Sequence, residues 1–379
     1  MESAPKLGPA AIAARPESFH RWRSRKDYLA KNVIVLGGLM VIAAVLLILF
    51  YLAYVVAPLF LPASMSKTSI GAHPEWGGNN SVYLSIEEQQ QVAFRIDRSG
   101  TAEFFSVDGL EMLASNTLSG GGMKVTAVSG DLANLGLVAV AFEDGQVELL
   151  QHRYKTDFSA GVELRKIIPS LEFPYGEELR ELMPGGGITG LALSDSESEL
   201  LIAAAGSGGR VRLERSTKQE NFLSGEVTLD STFRSLDVDF EISGIAVSDD
   251  HRWLYLGDDR GQVHFVRLAD MQQLQAVQVT DTAISSMSML LGGLSVLVGD
   301  TAGNVAQLFP LRDLENEDTL EVVRRFESQQ EAITQIIPEQ RRKGFITVDT
   351  AGGLAIYHST AAKLVLEQQL GGGAPAALA

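Results

Sequence analysis

The sequence predicts an all-β fold of repeated four-stranded units, preceded by one transmembrane α-helix. Three features predict it: an uncharged apolar stretch near the N-terminus, a hairpin pattern that recurs through the rest of the chain, and a near-constant distance from each first strand to a glycine turn. After residue 62 no helical period of 3.6 residues persists. The chain therefore divides into a membrane segment and a β domain.

The membrane segment is Val33–Phe60, which contains no charged residue. About 20 apolar residues cross the hydrocarbon core as a helix, and this stretch is longer than that, so it predicts a transmembrane helix. Pro58 and Pro62 predict where the helix ends. A buried soluble helix and a cleaved signal peptide are the alternatives. The first rarely lacks a polar face over such a length, and the second has a shorter apolar core.

The charge distribution predicts the orientation of this helix. Residues 1–32 carry seven Lys/Arg and three acids, a net charge of +4, whereas the whole chain has −16 and the remainder therefore −20. Cations that flank a span tend to stay in the cytoplasm, so residues 1–32 form a cytoplasmic tail and the chain beyond residue 60 lies outside the cytoplasmic membrane. We expect a linker over residues 61–80. The strongly acidic remainder disfavours nucleic acid as a partner, which leaves the lipid bilayer, through the helix, and other proteins.

The β domain is predicted from its repeats. Five segments share an apolar run, an Asp-containing turn with Gly and a second alternating run, which is typical of a β-hairpin. They end at Val107, His152, Leu268, Leu311 and Thr360. A first strand precedes each unit, and it begins at Val125-Thr126, Ile188-Thr189, Ile242-Ser243, Ile284-Ser285 and Ile333-Thr334. The turn glycines are Gly145, Gly208, Gly261, Gly303 and Gly352, and their distances from the Thr or Ser agree to within one position.

The spacing of these units predicts a β-propeller. Val82 precedes Gly100 at the same distance, which indicates a sixth and earliest unit. Successive units start about 40 to 60 residues apart, which suits four-stranded WD40- or YVTN-type blades with outer strands such as Gly225–Leu229 and Leu320–Phe326. Residues 81–379 are thus predicted to form about six blades. Gly373–Ala379 resembles the opening strand Gly187–Ala192 and predicts the start of a seventh blade in an incomplete ring, with a flexible tail as the alternative.

A calcium interpretation of the turn aspartates is disfavoured. Each unit supplies a single Asp, not the clustered acids that a calcium loop needs, and Asp before a turn glycine commonly bonds the local backbone. These residues are Asp97, Asp144, Asp259, Asp300 and Asp349.

The remaining residue patterns predict no catalytic, cofactor-binding or metal-binding residue. There is no cysteine, and the six histidines are far apart; His152, His264 and His358 fall near hairpin strands, and only the fold could gather them into a zinc site. No glycine cluster precedes a Lys-Ser/Thr and a helix, so no phosphate-binding loop is predicted. The acids Glu172, Glu177, Glu178 and Glu181 form a negative run around Pro174, which indicates a solvated loop.

The order of parts resembles one known family. The basic stretch RWRSRKDYLAK, the apolar span ending FYLAYVVAPLF and the following β-repeat domain, with its TAGGLAIYHST ending at Thr350–Thr360, are similar to the extended phosphate ABC transporter permease of the PstC type. The resemblance implies a bacterial inner-membrane protein with a periplasmic domain after its first helix. It implies as partners the second permease subunit, the ATPase and the periplasmic phosphate-binding protein. The permease body is missing from this sequence, so the resemblance implies a chain truncated before it.

Three functions are therefore considered, in order of preference. The first is the anchor and periplasmic propeller of a phosphate importer permease, which acts as a docking or regulatory domain. The second is a self-contained membrane-anchored propeller scaffold in the bacterial envelope. The third is a propeller enzyme whose site collects residues from several blades, for which the sequence shows no motif.

Overall fold

The structure, a computed structural model, describes residues 17–61, 63–65, 81–158, 165–220, 227–370 and 377 of the chain. The chain divides into two compact units, Met1–Ser64 and Met65–Ala379. The first contains the helix and the second contains all the strands.

Helix α1 spans Glu17–Val56, and a 3₁₀ turn follows at Ala57–Phe60. It begins well before the predicted Val33 because the stretch before the apolar segment is rich in Arg and Lys, which favour helix. Within it, Lys26–Val56 is long and apolar enough to cross a membrane, and none of its apolar window is buried in the structure. The α-helix ends before Pro58, because proline lacks the backbone N–H that another helical turn requires. Pro62 lies outside the described residues.

The second unit consists of six antiparallel sheets, each formed mainly by four consecutive strands. We call these sheets blades 1 to 6. Blade 1 contains β1 (Ser81–Ile86), β2 (Val92–Asp97), β3 (Thr101–Ser106) and β4 (Met112–Thr117). Blade 2 contains β5 (Val125–Gly130), β6 (Leu137–Phe142), β7 (Gln146–Asp157), β8 (Lys166–Glu172) and the short β9 (Arg180–Glu181), which pairs with β7. Blade 3 contains β10 (Ile188–Asp195), β11 (Glu199–Gly206), β12 (Arg210–Glu220) and β13 (Val227–Asp237).

Blades 4 to 6 repeat the simple four-stranded plan. Blade 4 contains β14 (Ile242–Val247), β15 (Trp253–Asp258), β16 (Gln262–Arg267) and β17 (Gln272–Gln278). Blade 5 contains β18 (Ile284–Met289), β19 (Val296–Asp300), β20 (Val305–Arg312) and β21 (Asp318–Arg325). Blade 6 contains β22 (Ile333–Pro338), β23 (Gly344–Asp349), β24 (Gly353–His358) and β25 (Lys363–Gln369). The first strands of successive blades lie against one another, which is the radial arrangement of a β-propeller.

The predicted first strands are confirmed at their starting residues, and the structure shows why a Thr or Ser recurs there. A β-bulge occurs at this second position of the first strand in all six blades. At four of these bulges the hydroxyl donates a hydrogen bond to a carbonyl oxygen of the neighbouring strand, as Thr334 does to Val348 at 3.0 Å. Bulges increase the local twist of a strand, and each blade therefore turns at the same point.

Two predicted turn residues are wrong by one position. In blade 4 the turn carboxylate is that of Asp258, not Asp259, because Asp258 Oδ1 accepts the N–H groups of Arg260 at 3.0 Å and Gln262 at 2.7 Å. In blade 3 the turn glycine is Gly209, not Gly208, because the Gly209 carbonyl accepts the N–H of the residue that leaves the last strand. Neighbouring Asp-Asp and Gly-Gly pairs made both positions ambiguous in the sequence.

Clusters of buried apolar side chains lie between successive blades and form the core. The cluster between blades 3 and 4 is aliphatic, whereas the cluster between blades 1 and 2 contains Phe94, Phe104 and Phe142. Where blade 6 meets blade 1, Arg341 and Glu88 in corresponding turns form an exposed ion pair of 2.7 Å. The predicted start of a seventh blade falls almost entirely outside the described residues, and so does most of the predicted linker.

The β5–β6 turn contacts several other blades. Leu132 in this turn belongs to blade 2 but packs against the apolar cluster between blades 4 and 5. The preceding Asp131 accepts the Asp195 N–H of blade 3 through Oδ2 at 2.6 Å. The turn therefore ties blade 2 to three other blades at this end of the ring.

Candidate interaction groove

An aromatic cluster lies at the interface of blades 1 and 2. Phe94 contacts both Phe104 and the His152 ring, with centroid distances of 4.8 and 4.7 Å. Tyr154 meets the edge of Phe104 at 6.0 Å. The alternation of β7 brings His152 and Tyr154 to the face of blade 2 that meets blade 1. The cluster joins the two blades through rings rather than through aliphatic chains.

His152 is neutral within this cluster. It is 6% exposed, and burial lowers its pKa to about 4. Its Nε2 lies 3.5 Å from the Tyr83 hydroxyl, and in the described part of the chain its Nδ1 has no hydrogen-bond partner. The Tyr154 hydroxyl also lacks a partner there. The interface thus contains buried polar atoms that are not fully satisfied.

The outer edge of this interface opens into a groove of about 330 Å³. We call it the β4–β8 groove, because it lies between the outer strand of blade 1 and the outer strand of blade 2. Its floor is apolar: Phe104 is buried, while Leu171 and Phe173 are half-buried and pack against the cluster below. The remaining lining residues are Ala114, Asn116, Thr117, Ser119, Pro169, Ser170 and Glu177.

A buried carboxylate lies next to the groove. Glu148 of β7 is 0% exposed, and it accepts hydrogen bonds from the Ser119 N–H at 2.9 Å and the Ser119 hydroxyl at 2.6 Å. Burial raises the pKa of Glu148, and the negative charge of Glu177 adds to the increase, although the Ser119 bonds oppose it. Among the described residues no Lys or Arg forms an ion pair with Glu148. A buried acidic group without an ion-pair partner among the described residues therefore lies behind one wall of the groove.

The acidic segment after β8 is anchored rather than freely solvated. The Tyr175 hydroxyl donates to Asp195 at 3.0 Å, and Arg180 forms an ion pair of 2.7 Å with the buried Glu214 of blade 3. Glu177 and Glu178 remain exposed on the loop between these two anchors. Loop residues 175–180 line a second hollow beside the groove. The sequence indicated the charge of this segment but not the long-range contacts that hold it.

The turn aspartates bond the local backbone, as the sequence predicted. Asp97, Asp300 and Asp349 each accept the N–H groups two and four residues ahead through one oxygen, as Asp258 does. Asp144 is adjacent to its glycine and accepts the Gln146 N–H at 3.0 Å, its one hydrogen bond in the described part of the chain. Within the described ranges, no three His, Asp or Glu side chains are placed to hold a metal ion. His152, His264 and His358 lie in blades 2, 4 and 6.

One constellation that the sequence did not predict links blades 3 and 4. His251 Nε2 lies 3.1 Å from the Ser194 hydroxyl, and its Nδ1 lies 3.3 Å from the Glu199 carboxylate. This is the order of groups in a Ser-His-acid triad. Ser194 is only 2% exposed, however, so a substrate could not reach its oxygen unless the interface opened. The arrangement is an interblade clamp, and no sequence spacing signals it because its members lie in different blades.

Comparison with known proteins supports the fold alone. No family model and no curated protein matches the chain. Among solved structures, the chain is similar to the β-propeller domain of Cps50 (Swd1) from Myceliophteria thermophila, with 12% identity and a TM-score of 0.53. The match covers 78% of this chain and 87% of that domain. The predicted all-β propeller of WD40-like blades is therefore confirmed, together with one N-terminal apolar helix.

Proposed function

We propose that the protein is a membrane-anchored β-propeller that acts as a docking scaffold for other proteins. One observation carries this proposal: a propeller with six blades in the described residues and a helix whose apolar window is wholly unburied occur in the same chain. An apolar helix that the protein does not cover is stable only where lipid or another protein surrounds it. Propellers commonly present binding surfaces on a rigid ring, and we assign no reaction to this one.

The charge distribution supports a periplasmic location for the propeller. The basic residues lie just before the apolar segment, and residues 33–379 carry a net charge of −20. We therefore propose an N-terminus in the cytoplasm and a propeller in the periplasm. A reporter enzyme that is active only after export, fused after Ala379, tests the orientation. Activity confined to a cytosolic reporter at the same position would overturn it.

Membrane retention of the full chain tests the anchor. We expect the chain to remain in the membrane fraction after alkaline extraction. Replacing Leu46 and Ile48 with Lys costs about 3 kcal/mol for each charge at the centre of a span and releases the chain. The matched control is Leu314→Lys on an exposed loop of blade 5, which leaves retention unchanged. A wild-type chain that is extracted like a soluble protein would refute the anchor.

A narrower proposal names the transporter. The resemblance of the basic stretch, the apolar span and the β-repeat domain to the extended phosphate permease supports a docking or regulatory role in phosphate import. In that case the full chain, purified from gently solubilised membranes, brings with it the partner permease, the ATPase or the periplasmic phosphate-binding protein. If none of the three accompanies a folded, membrane-retained chain, the role in phosphate import is refuted and the general scaffold proposal is retained.

A further inference from the structure

We propose that the β4–β8 groove binds an extended peptide segment of a partner protein, in which apolar side chains are flanked by Lys or Arg. This proposal rests on the scaffold function above and names the chemistry of its partner. Three properties of the groove support it: its size, its charge and the polar atoms along its sides.

The floor accommodates apolar side chains. Leu171 and Phe173 are half-buried, and they extend the apolar cluster of blades 1 and 2 to the surface. A volume of about 330 Å³ is at the small end of the range for ligand sites, so the groove takes one or two side chains and not a folded domain. Covering these half-exposed side chains removes apolar surface from water, which favours binding.

The charge of the groove selects a cation. Glu177 is exposed at the edge, and the buried Glu148, which accepts bonds from Ser119, lies behind it. The described residues that line the groove include no Lys, Arg or His. A Lys or Arg beside the apolar side chain is therefore attracted, whereas an acidic peptide, a nucleic acid or an anionic headgroup is repelled.

The sides of the groove can pair with a peptide backbone. Asn116 and Thr117 on β4 and Ser170 on β8 supply both donors and acceptors along the groove. An extended segment needs such partners because its own N–H and C=O groups are unpaired. Both β4 and β8 are also outer strands, which leaves the groove open at the rim of the ring.

Fluorescence anisotropy of the full chain in zwitterionic nanodiscs tests the proposal. The probe is a short labelled peptide in which leucines are flanked by lysines. One analogue has serine in place of leucine, and a second has glutamate in place of lysine. We expect the first peptide to bind with a Kd on the order of 10–100 µM, and both analogues to bind at least about tenfold more weakly. Empty nanodiscs serve as the blank.

Two variants locate the binding site. Glu177→Gln removes the exposed charge without touching the core, and it weakens binding about threefold to tenfold and reduces the salt dependence. Thr117→Lys places a cation of the protein in the groove and weakens binding by about tenfold. The matched control is Thr228→Lys, the same substitution on the exposed outer strand of blade 3, which leaves the Kd unchanged.

Each alternative outcome contradicts the groove proposal. Equal binding of the serine analogue shows attraction to charge alone, and equal weakening by Thr228→Lys shows binding to the acidic surface in general. No binding up to about 1 mM also refutes the proposal, because such an affinity is too weak for a specific site. If the chain stays in the membrane fraction while the peptide fails to bind, only the groove proposal is refuted and the scaffold proposal is retained.

Discussion

Two interfaces join neighbouring blades through different side chains: the one between blades 3 and 4 and the one between blades 1 and 2. The buried apolar residues of the first include no aromatic ring, whereas those of the second are organised around Phe94, Phe104 and Phe142. Both interfaces also contain buried histidines. Between blades 3 and 4 these are His251 and His264, and the His264 ring stacks on the half-buried Phe240 with its Nδ1 unpartnered among the described residues. Both ring nitrogens of His251, between blades 3 and 4, have partners, whereas Nδ1 of His152 has none among the described residues.

This difference shows how one repeat yields interfaces with different side chains, one of which opens into a groove. Aromatic pairs prefer offset-stacked or edge-to-face arrangements, whereas aliphatic chains have no such directional preference. The groove lies where the aromatic cluster reaches the surface. We therefore expect blades 3 and 4 to contribute more to stability, and blades 1 and 2 to provide a surface for binding.

The largest effect is expected from truncating the aliphatic core between blades 3 and 4. Leu254 is 0% exposed in the cluster of blades 3 and 4, so Leu254→Ala lowers the free energy of unfolding by about 3–4 kcal/mol. Leu171→Ala at the groove costs about 1 kcal/mol, because this side chain is half-buried and solvent can occupy the space. Chemical denaturation followed by the fluorescence of Trp253, which is 3% exposed, measures both values. Equal losses would contradict the contrast between the two interfaces.

The second prediction concerns the effect of acid on folding stability, and it depends on His152 between blades 1 and 2. The pKa of His152 is about 4 in the folded chain, below its ordinary value of 6.5. The unfolded chain therefore binds the proton more tightly, and folding stability falls as the pH drops from about 6.5 towards 4, by about 3 kcal/mol in total. His152→Phe removes this loss. Unfolding curves at several pH values measure it.

A matched histidine variant controls the acid experiment. His358→Phe alters an exposed histidine of blade 6 and should retain the wild-type pH dependence. If His152→Phe loses stability in acid as steeply as the wild type, the buried neutral histidine is not the source of the effect.

These contrasts also show what could be predicted from the sequence. The period-two runs and the Asp-Gly turns depend on neighbours within a few residues, so the strands and the six units could be predicted, although the bulges at residues such as Thr189 and Thr334 were not. The clamp of His251 with Ser194 joins residues of different blades, and only the packing of those blades brings them together. The groove was not predictable because the size of a gap depends on how rings pack, not on their order in the chain.

A third prediction tests the clamp between blades 3 and 4. Ser194→Ala leaves a buried ring nitrogen of His251 without its partner and should cost about 1–2 kcal/mol of unfolding free energy. Ser328→Ala, at an exposed serine after blade 5, should cost less than about 0.5 kcal/mol. A serine-directed fluorophosphonate probe should not label the wild-type chain. Labelling at Ser194 would show that the constellation is accessible and would favour the enzyme hypothesis instead.

The smallest effect is expected at Asp249, with the opposite response to acid. Burial raises the pKa of Asp249 to about 6, and the nearby Asp131 and Asp250 carboxylates add to the increase while His251 opposes it. The folded chain therefore binds this proton more tightly than the unfolded chain, so stability rises as the pH falls from about 6 to about 4. Asp249→Asn should stabilise the chain at pH 7 by about 1 kcal/mol, a value reduced for partial exposure to solvent, and the gain should vanish near pH 4.

The opposite signs at the two sites give the sharpest test of both assignments. Because Asp249→Asn removes a gain in acid, this variant should lose more stability than the wild type between neutral pH and about pH 4. His152→Phe removes a loss, so it should lose less, and the double variant should fall between the two single variants. Asp281→Asn, on an exposed turn between blades 4 and 5, is the control and should follow the wild type. Stability curves of both single variants that run parallel to the wild-type curve would contradict both assignments.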